Sequence, residues 1–341
     1  MAVRFKRSVK KVTLLDPRQG FNENHIRFEF RIDPLTRRRS RIMNLKFKIL
    51  NPPDLKTMIE KSLGRPCPFC EDNLEKMTPQ FSPNFIPEGR IQLGEAVVFP
   101  NSMPYDQNNA VTIFSKDHFV GLTDFSEALL VNGFLASQAF LKKVYQRNAK
   151  NRYFSLNWNY MPPSGGSLVH PHLHLMADND PSDHHKLILK RAKRFWKKFN
   201  VNYWEDLINE EKRLEERFLG TTGNVCWLLY FAPKGMMFDV MGIFANRLSL
   251  LEISPEDFHD FAQGLKKVLS YFEKNNVISF NLTIFSGLKE KEYFWTHARI
   301  IPRFTIPPVD TSDVSFPGLL HDESLSIIRP EDTCQEMKAY F

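Results

Sequence analysis

Three histidines alternate along the segment 170–174, His-Pro-His-Leu-His, and they are the residues most able to do chemistry in this chain. Because successive side chains of a strand point to opposite faces, a strand here would carry the three imidazoles on one side. The preceding segment 162–167, Pro-Pro-Ser-Gly-Gly-Ser, is a turn of small residues whose backbone N–H groups suit a phosphate. The pattern predicts phosphate chemistry at a histidine. A chance cluster of histidines and a surface metal site are the alternatives.

Two of the four cysteines, Cys67 and Cys70, form a Cys-x-x-Cys motif, which serves either as a redox pair or as half of a zinc site. The flanking Gly-Arg-Pro and Glu-Asp-Asn predict an exposed turn, which disfavours the redox role. His118, directly after a predicted strand end, and His170 complete a closed Cys2His2 set, in which a zinc ion is structural. Two unpaired buried thiols beside a core histidine are the alternative.

The elements that must position these residues form a weak internal repeat. In the first half, strands at 111–114 and 153–157 enclose a helix with apolar spacing, and the histidine segment follows. In the second half, strands at 242–244 and 279–283 enclose a helix that begins with a capping box at Ser254, and His297 follows. The repeat predicts two copies of one α+β unit, of which only the first carries the full set of histidines.

The boundaries of the two copies define three predicted parts, residues 1–180, 181–222 and 223–341. The charged middle part has apolar positions at helical spacing, which predicts one or two bridging helices. It contains no flexible Gly/Ser linker, and we therefore expect the two halves to pack as one rigid body. The first 50 residues are predicted to be rich in strands, with a turn at 33–36.

The chain has 341 residues, 42% of them apolar, a net charge of +7 and a pI of about 9.1, which fits an anionic small substrate or a nucleic acid. Its cations form three runs, at 4–11, 37–41 and 186–198, and each by itself is more typical of a solvated face than of a binding site. There is no secretory or membrane-length apolar segment and no disulfide framework, so we expect a cytoplasmic protein without a membrane partner.

The Cys-Pro-x-Cys motif, the Lys-Asp-His after a strand and the pattern Asn-x5-Gly-x-Ser-x2-His-Pro-His together resemble the galactose-1-phosphate uridylyltransferases, the transferase branch of the histidine-triad superfamily. The last pattern matches Asn159, Gly165, Ser167, His170, Pro171 and His172 without a gap. The turn Asp-Pro-Leu-Thr at 33–36 is similar to the family's opening Asn-Pro-Leu-Thr. The resemblance implies an α+β fold of two tandem histidine-triad-like units, each an antiparallel sheet with packed helices, the second degenerate.

The resemblance also implies a nucleotidyltransferase with His172 as nucleophile. Its imidazole would attack the α-phosphorus of a nucleoside diphosphate sugar, and the covalent nucleotidyl-histidine would pass the nucleotide to a phosphate-bearing acceptor with ping-pong kinetics. The carbonyl of His170 would fix the ring nitrogen that carries the proton. Ser167 and the amides of Gly165 and Gly166 would stabilise the charge of the transition state.

Further expectations from the resemblance concern binding. Asn159 would position the phosphoryl group or the nucleophile, Asn101 would read the base and ribose, and an arginine after the turn, with Arg37 and Arg41 as candidates, would meet a phosphate across a dimer. We therefore expect a homodimer that uses a nucleotide sugar and a sugar phosphate, and no nucleic acid as partner. A structural zinc would be held by Cys67, Cys70, His118 and His170.

Three departures from the family leave the substrate open. His174 stands where the transferases have glutamine, which favours water as acceptor; a nucleotide-sugar or dinucleoside polyphosphate hydrolase or phosphorylase is therefore the main alternative. Arg299 replaces a ligand of the second metal found in some transferases, and would meet a phosphate or form an ion pair. The signatures that hold the hexose are missing after Arg303. A nucleic-acid-binding or end-processing protein and a catalytically inactive member are lower alternatives.

Overall fold

Groups of strands are separated by one or two helices along the chain, of which the computed structural model describes residues 1–45, 47–287, 292–306 and 308–341. In these ranges the strands are β1 Lys6–Asp16, β2 Asn22–Ile32, β3 Arg39–Ile42, β4 Ile91–Leu93, β5 Ala96–Pro100, β6 Asn108–Ile113, β7 Tyr153–Tyr160, β8 His172–Asp178, β9 Phe218–Thr222, β10 Val225–Leu229, β11 Val240–Phe244, β12 Ser279–Ser286, β13 His297–Arg303, β14 Thr305–Ile306, β15 Thr311–Ser312 and β16 Ser324–Ser326. The helices are α1 Leu55–Ser62, α2 Glu71–Met77, α3 Glu127–Arg147, α4 Asp183–Phe199, α5 Tyr203–Leu214, α6 Pro255–Lys274, α7 Phe316–Leu320 and α8 Pro330–Met337.

One large antiparallel sheet joins the two halves of the chain. Its order is β4-β5-β6-β8-β7-β12-β13-β11-β10-β9, so each half contributes five neighbouring strands and the two halves meet where β7 pairs with β12. From the edge of the sheet inward, the first half has the order β4-β5-β6-β8-β7 and the second half has the corresponding order β9-β10-β11-β13-β12. This symmetry confirms the predicted α+β fold of two tandem units. Hydrogen bonding across the central pair makes the sheet continuous, as the lack of a flexible linker suggested.

Helices α3 and α6 cover one face of this sheet, and each occupies the corresponding place in its own half. Both begin at a serine that caps the helix, and at Ser254 the predicted capping box with Asp257 is present. Their apolar faces meet where Phe134 stacks on Phe258 at a centroid distance of 5.7 Å. Side chains at alternate positions of β7, β8 and β12 point into the same core, which leaves the other positions of these strands facing the opposite side.

The opposite face of the sheet is covered differently in the two halves. In the second half, α4 and α5 pack there, burying Trp204 and Leu207 against β10 and β11. These are the two helices predicted for the bridge, whose range 181–222 also holds β9. In the first half, this face carries a small cluster around Phe69 and Phe99. The site therefore lies on the face of the first half that the bridging helices do not cover.

A second sheet, β1-β2-β3-β16, combines the N-terminal strands with one from near the C-terminus. The predicted turn at 33–36 connects β2 to β3, where the carboxylate of Asp33 accepts hydrogen bonds from the amides of Leu35 and Thr36. Arg31 of β2 is fully buried and binds Glu331 of α8 through two nitrogens, both at 2.8 Å. Across the described ranges, the structure has no helix that is both long and apolar enough to span a bilayer.

Candidate active site

The histidine segment lies at the start of β8, and only part of it is in the strand. The pairing begins at His172, whose ring lies 4.9 Å from that of His174 on the same face. His170 precedes the strand because Pro171 has no N–H to donate to the sheet. The prediction that one strand carries all three imidazoles was therefore wrong for His170, which lies just before the strand. Its side chain points instead to the cysteines.

His172 presents one ring nitrogen to the protein and keeps the other free. Its Nδ1 lies 2.8 Å from the carbonyl oxygen of His170, and because a carbonyl only accepts, Nδ1 carries the proton. Nε2 therefore holds the lone pair, and it has no hydrogen-bond partner among the described residues. Burial, followed by the neighbouring His174, lowers the pKa of His172 to about 4. The imidazole is thus neutral at neutral pH, as a nucleophile requires.

The turn before β8 has a constrained backbone close to the nucleophile. Met161 and Gly165 have positive φ angles of 68° and 88°, which turn the chain sharply after β7. A Cβ on Gly166 would lie only 3.0 Å from the carbonyl oxygen of Asn159, so no larger residue fits there without movement. The N–H of Gly165 donates to Pro162 within the turn. The N–H groups of Gly166 and of the exposed Ser167 have no partner in the described part of the chain.

Asn159 lies beside His172 and is oriented by a series of hydrogen bonds from residues of the second half. In the β7–β8 register, Trp158 pairs with Leu173, which puts Asn159 next to His172. Asn281 of β12 donates to Oδ1 of Asn159 at 2.7 Å and to the carbonyl of Ser164 at 2.9 Å. This leaves the amide NH2 of Asn159 available as a donor toward the site.

The series of hydrogen bonds continues from Asn281 to Arg303 and Asp313. Nη1 of Arg303 donates to Oδ1 of Asn281 at 2.7 Å, and Asp313 binds the same guanidinium at 2.6 and 2.7 Å. The side-chain amide of Asn281 is therefore held in one orientation, since its Oδ1 accepts from Arg303 and its NH2 donates to Asn159. The second half thereby sets the direction of Asn159.

His174 and Asn101 lie on the far side of His172 from the turn. Burial lowers the pKa of His174, and its buried Nδ1 has no partner among the described residues. The ring of Tyr105 lies 5.8 Å from that of His174. Asn101 donates to Asn109 at 2.8 Å and accepts from the N–H of Met103 at 3.0 Å. In this structure Asn101 holds the loop that brings Tyr105 to His174.

Beside Tyr105 and the strand face of β7 lies a cavity of about 590 Å³. It extends from the end of β8 to the first turn of α4 and is lined on the strand side by Asn157 and Thr283. Its volume is in the range of nucleotide and drug-sized sites. The cavity is not lined by His172 or His174, and it approaches them through Asn157, which pairs with His174 in the sheet.

Cys67, Cys70, His118 and His170 come together as predicted and could hold a metal ion. Their ligand atoms all lie within 4.8 Å of one another, and Sγ of Cys70 is 3.3 Å from Nδ1 of His118. Nε2 of His170 donates to the carbonyl of Ser115 at 2.9 Å. Nε2 of His118 is 2.8 Å from the hydroxyl of Ser62, which itself donates to a helix carbonyl. Both histidines therefore direct an unprotonated Nδ1 into the cluster, the arrangement that metal ligands need.

The prediction that the Cys-x-x-Cys motif forms an exposed turn was wrong. Cys67 is 7% exposed, and Cys70 is the residue from which α2 begins. The intervening Phe69 packs against His172 at a centroid distance of 5.1 Å and against His170 at 5.9 Å. Cys67 is buried and Cys70 half-buried because this loop folds over the start of β8, which the local sequence did not indicate.

The second half keeps the local geometry of the nucleophile but closes the site. His297 occupies the position of His172, and its Nδ1 donates to the carbonyl of Trp295 at 2.9 Å. Trp204 of α5 stacks on this imidazole at 4.0 Å, and Phe285 takes the place that Asn159 has in the first half. No ligand can approach the ring while α5 is in place. The second unit is degenerate for this reason.

The arginines singled out in the sequence lie away from the histidines within this chain. Arg41 binds Glu323 at 2.6 and 3.0 Å, and Arg37 is exposed in the turn before β3. Arg299, in the position equivalent to His174, binds Asp239 at 2.6 Å and lies over the ring of Tyr230. Of the two roles considered for Arg299, the structure has the ion pair.

Sequence reasoning missed three residues of the site: Phe69, Asn157 and Asn281. Asn157 has the same strand face as Asn159, and the alternation Asn-x-Asn in β7 was a signal that could have identified it. Phe69 was visible only as the residue between two cysteines. Asn281 had no signal, because its contact with Asn159 depends on the pairing of β7 with β12.

Comparison with known proteins gives one sequence relative and several structural ones. The chain is 32% identical over 311 residues to an uncharacterised protein from Archaeoglobus fulgidus, and the match covers 91% of both chains. No family model matches the sequence.

Among solved structures, the chain is similar to an ADP-glucose phosphorylase from Arabidopsis thaliana with bound ADP-glucose. The TM-score is 0.70 at 17% identity, and the match covers 91% of this chain and 98% of that one. A GalT-like protein from the same plant gives the same values. A uridylyltransferase mutant matches with a TM-score of 0.66 at 18% identity, over 91% of this chain and 98% of the other. The fold expected from the motifs is thereby confirmed.

Proposed function

Because this chain belongs to one family with the Archaeoglobus fulgidus protein and has the fold of GalT-like proteins, we propose that it is a nucleotidyltransferase. It transfers a nucleoside monophosphate from a nucleoside diphosphate sugar to a sugar 1-phosphate or to phosphate. The observation that carries the proposal is the hydrogen bond from Nδ1 of His172 to the carbonyl of His170, which leaves Nε2 as a free nucleophile beside a turn with unused N–H groups.

In the first step, Nε2 of His172 attacks the α-phosphorus, and a bond forms between nitrogen and phosphorus as the bond to the bridging oxygen breaks. The electron pair leaves with the sugar 1-phosphate. Donors from Asn159, Gly166 and Ser167 stabilise the phosphoryl oxygens as their charge rises. In the second step, a phosphate oxygen of the acceptor attacks the same phosphorus and restores the neutral imidazole.

We propose further that the Cys2His2 cluster holds a zinc ion with a structural role. Two thiolates and two imidazoles form the tetrahedral donor set that zinc prefers, and four protein ligands leave no open position. The ligands join the loop of α2 to the start of β8, and this loop also carries Phe69, which packs on His172. The metal would therefore hold one wall of the site in place.

A hydrolase or phosphorylase on the same scaffold is the second candidate, and the position of His174 favours it. Its ring lies 4.9 Å from that of His172, and an imidazole, unlike the amide of glutamine, can accept a proton from water. The same feature makes the acceptor the open part of the proposal. The homodimer, the substrate arginines and the base and sugar of the donor remain predictions.

Intact-protein mass spectrometry tests the covalent step. The protein is exposed briefly to UDP-, ADP- and GDP-sugars, including ADP-glucose, and quenched at alkaline pH to preserve a phosphoramidate. We expect an adduct of one nucleotide that sugar 1-phosphate or phosphate discharges and that His172→Ala lacks, while the variant keeps its metal content. An adduct that persists in His172→Ala would contradict the assignment of the nucleophile.

The acceptor is identified with the same material by chromatography of the nucleotide products. Transfer gives a new nucleotide sugar, phosphorolysis gives a nucleoside diphosphate, and hydrolysis gives free monophosphate without an acceptor. In the hydrolase case, His174→Gln should lower the hydrolytic rate by about 100-fold, the usual contribution of a general base. An unchanged rate in that variant would rule out His174 as the group that activates water.

A further inference from the structure

The three basic runs of the sequence meet in one cavity. It has a volume of about 560 Å³ and lies between the first residues of the chain, the turn before β3 and one face of α4, on a part of the molecule separate from the histidines. Six cations line it. Arg4 and Lys6 come from the first run, Arg37 comes from the second, and Arg191, Arg194 and Lys198 come from the third. Residues far apart in sequence thus form a single cationic surface.

None of these six cations has an acidic partner among the described residues, and no aspartate or glutamate lines the cavity. Elsewhere, the arginines are commonly paired, as Arg217 is with Glu211 and Glu331. Six unpaired like charges around one cavity repel one another, and an anionic ligand relieves that repulsion. The charge pattern therefore fits a ligand with several negative charges.

The walls of the cavity are held in place by the fold. The carboxylate of Asp206 in α5 accepts hydrogen bonds from the N–H groups of Ala2 and Val3 at 2.7 and 2.6 Å, which fixes the segment carrying Arg4. Arg191, Arg194 and Lys198 are spaced three and four residues apart on α4 and so share one face of the helix. The cations are thus presented by ordered backbone rather than by a free tail.

The cavity also has an apolar part, which an inorganic anion would not use. Its lining includes Val3 and Leu35, which are buried, and Phe195 and Phe199 of α4. Phe199 is 42% exposed, with the ammonium of Lys198 5.0 Å from the centroid of its ring. Phosphates bound by cations and unstacked bases bound by exposed aromatic rings are the features of single-stranded nucleic-acid sites.

Positive charge continues from the cavity along β1, where Arg7, Lys10 and Lys11 are exposed. A strand rises about 3.4 Å per residue, so β1 provides a track longer than a single nucleotide. We propose that this cavity and the adjoining part of β1 bind a single-stranded nucleic acid, with its phosphates at the six cations and a base against Phe199. This function is distinct from the chemistry at His172, and it assigns Arg37 to the nucleic acid rather than to a substrate phosphate across a dimer. It also contrasts with the expectation that no nucleic acid is a partner.

Fluorescence anisotropy of a labelled oligonucleotide of about 12 nucleotides, DNA or RNA, tests the proposal over a salt series. With six contacts, log K should fall against log salt with a slope of about −4. Arg194→Glu with Lys198→Glu should weaken binding by tenfold or more, and Phe199→Ala by about tenfold.

The matched control reverses two exposed lysines outside the cavity, Lys150→Glu with Lys274→Glu, which changes the net charge equally. The control should bind as the unchanged protein does, and both double variants should keep the melting temperature and the nucleotidyl adduct at His172. Equal losses in the control, or displacement by inorganic polyphosphate together with no effect of Phe199→Ala, would reduce the cavity to a general anion site and overturn the proposal. So would a change of oligomeric state in the Arg194 and Lys198 variant, since the cavity would then be an interface between copies.

Discussion

The chemistry of single residues in this protein depends on the hydrogen bonds that fix the tautomer of each histidine and the orientation of each side-chain amide. The carbonyl of His170 selects the tautomer of His172, and Ser115 and Ser62 do the same for the two histidines of the metal cluster. Asn159 is oriented by Asn281, which in turn is held by Arg303. In each case the reactive side chain has one partner that fixes it and one face left free for a ligand.

Replacing Asn281 tests this dependence without touching the substrate. Asn281→Asp keeps the acceptor for Arg303 but places a carboxylate oxygen against Oδ1 of Asn159 and the carbonyl of Ser164. We expect the rate of nucleotidylation of His172 to fall by about 10- to 100-fold, because the donor of Asn159 loses its direction, with little change in donor binding. Rapid-quench mass spectrometry gives the rate as a function of donor concentration.

Equal changes in the saturating rate and in the donor concentration for half-saturation would indicate a general structural effect instead. Thr283→Val is the matched control. Thr283 lies in β12, the strand of Asn281, and the substitution removes the hydrogen bond that its hydroxyl donates to Asn157. It should slow the step less than Asn281→Asp does, since Asn157 is also held by Ser155.

At the scale of elements, the difference between the two halves arises from what covers the same face of the sheet. In the second half, α4 and α5 lie over β10 and β11, and Trp204 stacks on His297. In the first half, the loop of the metal cluster covers only the start of β8 and contacts His172 through Phe69. The two units thus differ in the ring that packs on the equivalent imidazole, which is Trp204 stacked on His297 in one unit and Phe69 edge-on to His172 in the other, although both imidazoles are buried.

Trp204→Ala removes the ring that closes the second unit. Trp204 is 1% exposed, and truncating a buried tryptophan costs about 3–5 kcal/mol of unfolding free energy, which denaturant titration measures. The nucleotidyl adduct should stay at one per chain, because Phe285 stands where an amide donor is needed. An adduct on His297, found by peptide mapping, would show instead that Trp204 alone blocks the second site.

The Cys2His2 cluster joins the start of α2 to the segment just before β8, and among the described residues no backbone hydrogen bond connects the two. Cys70→Ser should lower the bound metal from one ion per chain and lower the melting temperature, because the loop then loses its attachment to β8. Elemental analysis and calorimetry measure the two effects. Cys334→Ala is the control, since Cys334 is buried at a distance from the cluster and its loss should leave the metal content unchanged. Full metal content in Cys70→Ser would exclude the proposed ligand set.

At the scale of the whole molecule, a buried ionic network connects the first strands to the last helix. Glu331 of α8 accepts from Arg31 of β2 at 2.8 Å and from Arg217, just before β9, at 2.7 Å. Burial by itself raises the pKa of Glu331, but the hydrogen bonds and charge of Arg31, followed by those of Arg217, outweigh it and hold the pKa at about 2. The N-terminal sheet is therefore fastened to the main sheet by charge.

This network predicts how stability depends on acid. The pKa of Glu331 is lower in the folded chain than its ordinary value of 4.5, so its contribution is fully present above pH 4.5 and is lost as the pH falls toward 2. The difference corresponds to about 3 kcal/mol. Glu331→Gln should reduce the unfolding free energy at pH 7 and flatten its dependence on pH between 4.5 and 2. An equally steep dependence in the variant would show that other carboxylates cause the acid unfolding.

The sequence by itself determined the features that are local. The capping box at Ser254, the strand and helix order of the two halves and the four residues of the Cys2His2 cluster follow from periodicity and residue type, which act over a few positions. The resemblance carried by the His-Pro-His segment extended these features to a complete fold. Each of these signals lies within one element or one motif.

Only the tertiary structure decided which of these features meet. The pairing of β7 with β12 brings Asn281 to Asn159, the packing of α5 closes the site at His297, and the folding of the cysteine loop over β8 buries Cys67. The tertiary structure also brings the three basic runs together at one cavity, although the sequence predicted each of them to be a solvated face. The reason is that such contacts join residues far apart in the sequence, and no local pattern encodes which distant surface a strand, helix or loop will cover.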